Sequence, residues 1–136
     1  MTPEFEDDLQ ALLVAHSGLA AIVDDRIWPD FIDRQTDVEM PCIIRIVGYS
    51  VDGTLDDSAA EVLARLVFEV YSEDRRVLLE INRQLQNCMN GLVASTLGGA
   101  RVVHVLFQSY EPVSIERSAG QPMYAAVITY NASLNF

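Results

Sequence analysis

Two stretches of the chain space their apolar residues for a helix, and four alternate or cluster them for strands. The first helical stretch opens at Thr2-Pro3 with acids at 4, 6, 7 and 8. That is a hydroxyl to cap the first turn, a proline that needs no hydrogen bond there, and negative charge on the positive end of the dipole. Phe5, Leu9, Leu12, Leu13 and His16 then line one face, and Gly18 ends the helix near residue 17, where a protonated His16 suits the negative dipole end. Leu19 to Val23 reads as one further turn, Arg26-Ile27-Trp28-Pro29 as a short extended segment, and the chain from there to Met40 as irregular.

Pro41 introduces Cys42-Ile43-Ile44-Arg45-Ile46-Val47-Gly48-Tyr49, a β-branched run that predicts a strand. Asp52 to Ser58 is a turn-rich acidic loop. Glu61 to Tyr71 contains helix-forming Ala, Leu and Glu, yet Leu66, Phe68 and Val70 alternate against Val67, Glu69 and Tyr71, so we read it as the second arm of a hairpin. Ser72-Glu73-Asp74 starts the second long helix, whose face of Val77, Leu78, Ile81, Leu85, Cys88, Met89 and Leu92 persists for about 30 Å. Gly98-Gly99 turns the chain into a strand from Arg101 to Tyr110, with Val103, Val105 and Phe107 set against a wetter face of His104, Leu106 and Gln108. A loop from Pro112 to Pro122 precedes the clearest alternation, Met123 to Phe136. The pattern predicts an α+β two-layer sandwich in the order α-ββ-α-ββ. Its mainly antiparallel four-stranded sheet carries helices on one face, in one domain over residues 1–136.

Composition narrows what such a domain does. The chain is 50% hydrophobic, enough to fold around an aliphatic core despite a net charge of −11. All nine basic residues are Arg and they are scattered, so no basic stripe is present for gripping nucleic acid. Cys42 and Cys88 fall in apolar settings and read as buried thiols, and no Cys/His spacing suits zinc. The N-terminus lacks the basic and apolar regions of a signal peptide, and no apolar run approaches a membrane span, so a cytoplasm-like compartment is expected. Asp52, Asp56 and Asp57 lack the ligand spacing of a calcium loop. Neither His16 nor His104 stands in a catalytic motif, so no metal, cofactor or reaction is expected, and the exposed sheet face points to assembly. Aromatics near strand ends, among them Tyr130 and Phe136, are candidate interface anchors. Of Arg45 and Arg65, on the two arms of the first hairpin, at least one is expected to pair with a carboxylate across a subunit or neck boundary, the alternative being an exposed pair within the chain.

A set of segments in fixed order adds a resemblance: the Thr2-Pro-Glu-Phe-Glu-Asp-Asp-Leu helix, Asp25-Arg26-Ile27-Trp28, Met40-Pro41-Cys42-Ile43-Ile44, the Asp52-Gly53 hairpin tip, the strand leading straight into a long helix, and Tyr110-Glu111-Pro112. Over nearly its whole length the chain resembles the tail completion or tail terminator proteins of long-tailed bacteriophages and of related prophages and gene transfer agents. The resemblance implies a non-enzymatic virion protein, made in the host cytoplasm. Its homohexameric ring would cap the tail tube and meet the head-side connector or stopper in the neck, with DNA passing through the lumen without specific binding. Another head-tail joining protein, a stopper or adaptor, is the nearest alternative, and a small enzyme a remote one. Cys42 departs from the aromatic usual after the proline in this family, and the segment from Tyr110 through Gln121 is longer than usual. In a ring of this kind the Asp52, Asp56 and Asp57 loop is a candidate for the lumen or an axial docking surface, the alternative being the outer surface, where acids serve solubility, and Arg45, Arg65, His104, Tyr130 and Phe136 are candidate interface residues.

Overall fold

The computed structural model describes residues 3–29, 40–51, 61–115 and 123–135. The expected cap at Thr2, the acidic loop with Asp52, Asp56 and Asp57, the loop residues 116–122 and Phe136 lie outside the described residues.

Helix α1 (Pro3–Ala15) buries Phe5, Leu9 and Leu13, one residue per turn along a single stripe. The chain breaks at His16 rather than Gly18. His16 takes an extended conformation and caps a second helix, α2 (Ser17–Val23), its Nδ1 accepting a hydrogen bond from Leu19 N at 3.3 Å. His16 thus serves as the N-cap acceptor of α2 rather than as the last residue of α1. Helix α3 (Arg75–Asn90) begins where expected, with Asp74 Oδ1 accepting from Arg76 N at 2.9 Å. Its 16 residues span about 24 Å, shorter than the pattern suggests because Leu92 is buried from the turn that follows.

Six strands form one sheet: β1 (Ile27–Pro29), β2 (Cys42–Val51), β3 (Glu61–Ser72), β4 (Thr96–Leu97), β5 (Ala100–Ile115) and β6 (Met123–Asn135). Their order is β1-β2-β3-β6-β5-β4. The expected four-stranded antiparallel sandwich is therefore wrong. The sheet is mixed, it predominates over the helices, and it curls into a half-barrel. Three causes are visible. The short extended segment Ile27–Pro29 pairs in parallel with Ile43–Arg45, adding a strand to one edge. Thr96–Leu97 folds back on Ala100–Arg101, adding one to the other. Two register shifts in β5, between Val102 and His104 and between Phe107 and Ser109, bend and twist that strand. The expected loop from Pro112 also starts too early: β5 runs to Ile115, and Pro112 is tolerated because no described strand lies on its outer side.

The strand reading of Glu61 to Tyr71 follows from burial. Val62, Ala64, Leu66, Phe68, Val70 and Ser72 face inward along β3. With Ile128, Tyr130, Ala132 and Leu134 of β6 they meet Leu78, Ile81, Leu85 and Met89 of α3 and the stripe of α1 in one core cluster. Tyr130 sits edge-on to Phe68 (centroids 6.0 Å apart) and to Phe107 (5.6 Å). The helices thus fill the inner face of the curl, and the outer face carries none of them.

Candidate interaction surface

The outer face is built from the alternate residues of the central strands, and register sets its rows. Gly48, Arg65, Asn131 and Leu106 stand side by side across β2, β3, β6 and β5. The next row is Ser50, Leu63, Ser133 and His104, and on the other side lie Ile46, Val67, Thr129 and Ser109. Thr129 and Ser133 are buried although they point outward, because β6 is a central strand; Ser133 also lies between the longer Leu63 and His104. Ser133 Oγ and His104 Nε2 are 3.1 Å apart, within hydrogen-bond range, which ties β6 to the exposed strand β5 on this face.

Gly48 puts a gap in that surface. A Cβ at this position would meet nothing within 4 Å. The gap is the floor of a groove of about 320 Å³ lined by Gly48, Tyr49, Ser50, Leu63, Arg65 and Asn131. Arg65 is exposed and has no ion-pair partner among the described residues.

Arg45 has the opposite setting. It points inward beneath α1 with 4% of its side chain exposed, and its Nη1 lies 3.4 Å from Glu6 Oε1. Its Nε donates to Gln10 Oε1 at 3.0 Å, and Gln10 Nε2 donates in turn to the carbonyl of Ile27 at 2.7 Å. The guanidinium is engaged inside the chain, so the expectation of a carboxylate from another subunit falls to Arg65. Tyr130 is likewise buried in the chain's own core, whereas His104 is exposed.

Among the described residues, both edges of the sheet are largely unpaired. β1 covers β2 only as far as Arg45, and β4 covers β5 only at Ala100 and Arg101, with Val102 held by backbone bonds to Ala94 and Ser95. Among the described residues no strand pairs with the outer side of 46–51 or of 103–115. The second edge is also apolar: Val103, Leu106, Phe107 and Val113 are all exposed, Leu106 by 54%. Sequence reading turned Val103 and Phe107 inward. Phe107 keeps that side, paired with the buried Tyr130 and edge-on to its ring, and is exposed because no described strand lies beyond β5 there; Val103 falls in the first register shift, between Val102 and His104, and is exposed at that bulge.

The exposed apolar edge and the groove beside Arg65 are surfaces available for binding. Among the described residues no three His, Cys, Asp or Glu side chains cluster to hold a metal, and no helix is long and apolar enough to cross a membrane. Burial raises both thiols to a pKa of about 11, partly opposed at Cys42 by the Arg26 guanidinium, so neither is an activated nucleophile.

In architecture the chain is a six-stranded mixed sheet curled into a half-barrel around three helices, with an outer sheet face and two strand edges that no described element covers. No family model matches the chain, and no curated protein matches it. Among solved structures it resembles a chain from the "Virion of native gene transfer agent (GTA) particle", with a TM-score of 0.68 and 17% sequence identity over 99% of this chain and 100% of that one. At that identity the likeness is one of fold.

Proposed function

We propose that this chain is a structural subunit of a phage-like virion. In this reading the whole chain forms a single tail-terminator domain, six copies close into a ring on the end of the tail tube, and the ring meets the head-side connector or stopper in the neck. The observation that carries the reading is the end-to-end fold likeness to a chain of a gene transfer agent virion, in which neither chain has a substantial part left unmatched. The open edges supply a physical means of assembly. An unpaired strand edge is a template for another strand, and joining the β2 edge of one copy to the β5 edge of the next is a heterologous contact that closes if the rotation permits. The acid surplus fits a channel that DNA traverses without being held, since a net charge of −11 per copy repels the duplex.

The test is particle assembly in cells that lack the gene. The expected outcome is heads and tails that do not join, restored by the wild-type protein, with the labelled protein at the head end of the tail. Normally joined particles, or a label found elsewhere, would overturn the reading.

A further inference from the structure

Arg65 is an exposed cation with room around it and no ion-pair partner among the described residues. Gly48, Ser50, Leu63 and Asn131 line the groove beside it, which is open to solvent and offers the Asn131 amide and the Ser50 hydroxyl on a mainly apolar wall. A planar guanidinium in such a setting matches a carboxylate or a phosphate. A chain carrying −11 repels the phosphates of a duplex, whereas each additional copy of this protein supplies twenty carboxylates.

Topology narrows those twenty. β2 and β5 run in opposite directions within the sheet, so a neighbour added head-to-tail brings its β5 antiparallel to β2 with the same face outward. β1 blocks β2 as far as Arg45, and pairing that stops short of it sets the last residues of the neighbour's β5, up to Ile115, against 46–51. Outward-facing residues then oppose outward-facing ones. Glu111, exposed and without an ion-pair partner among the described residues, comes opposite Gly48 or Ser50. Arg65 stands one strand further in, so the two Cα atoms are about 9.5 Å apart, twice the inter-strand spacing. An extended Arg and Glu close that gap over Gly48, which has no side chain to block them.

We infer that the groove at Arg65 receives the carboxylate of Glu111 from a second copy of this chain, and that Gly48 is the gap through which the pair forms. The inference rests on the assembly reading above. The test is self-association of the purified protein, followed by sedimentation velocity across a range of salt, and ring formation on tails. Arg65→Glu and Glu111→Arg are each expected to keep the wild-type melting temperature, because both residues are exposed, and to weaken association about tenfold or more, the scale of one charge-assisted pair. The double exchange is expected to return association to within about threefold of wild type. Single variants that associate normally, or a double exchange that restores nothing, overturn the pairing while leaving assembly intact. Wild-type protein that forms no ring either in solution or on tails overturns the assembly reading itself. Binding of short duplex DNA by the wild type that is lost in Arg65→Glu would make phosphate the occupant and overturn the proposal.

Discussion

Arg45 and Arg65 are the same residue type on adjacent strands, twenty positions apart, and the fold uses them in opposite ways. Arg45 is the more costly to lose. Replacing it with Ala leaves a void beneath α1, strips Gln10 Oε1 of its donor and removes the partner of Glu6. Breaking a buried pair from one side costs about 3 to 5 kcal/mol, and because Glu6 is 31% exposed and regains water, Arg45→Ala is expected near 3. Met in place of Arg45 refills the volume of the stem, and with Glu6→Gln it also removes the stranded charge. That double variant is expected to recover most of the loss in urea unfolding. Equal instability of the two variants would show that the pair itself, and not packing, holds α1 to β2.

Among the elements, α1 meets the turn joining β4 to β5 backbone to backbone. Gly98 and Gly99 both have positive φ, 55° and 80°. Gly98 N donates to Asp8 Oδ2 at 2.7 Å, which ties the turn to the first half of α1. A Cβ at Gly98 would collide with the backbone of Glu4 and Phe5, while at Gly99 it would meet nothing within 4 Å. Gly99→Ala therefore isolates the left-handed backbone cost of about 1 to 2 kcal/mol. Gly98→Ala is expected to lose clearly more by thermal unfolding, because α1 must also shift. Similar losses at both sites would mean that α1 gives way freely.

At the scale of the whole molecule, the buried thiols set an upper pH limit. The thiol pKa values are raised from about 9 when unfolded to about 11 when folded. Below about pH 8 both states keep the protons and stability is flat. Between pH 9 and 11 the unfolded chain releases them while the folded chain holds them, so stability falls as pH rises, by up to about 1.4 kcal/mol per pKa unit for each thiol. Burial, then the nearby Cys88, also pushes Tyr130 upward, which adds loss of the same sign at higher pH. Urea unfolding at pH 8 and pH 10.5 checks this. The midpoint is expected to drop, and to drop less in a Cys42→Ala/Cys88→Ala variant. An unchanged midpoint would show that the thiols do not titrate with folding.

Contiguous residues by themselves determined the faces of α1 and α3, the four long strands, the inward set of β3, the acid surplus and the absence of any basic stripe. Each is a matter of local period or of a count, and burial of an apolar stripe enforces the period. What only the tertiary structure decided depends on partners distant in sequence. The groups that hold Arg45 inside lie 35 and 39 positions away, and the strand that makes β1 part of the sheet begins at Cys42. His16 caps a helix because the chain turns there, a choice that its place at the end of an apolar stripe does not reveal. The bulges that curl β5 and leave Val103 outside the ladder arise from pairing with β6, and so do the open edge and the groove beside Arg65. Periodicity tells a residue which side of its own element it faces. Which element then lies on that side, and whether any does, is settled only when the strands pair.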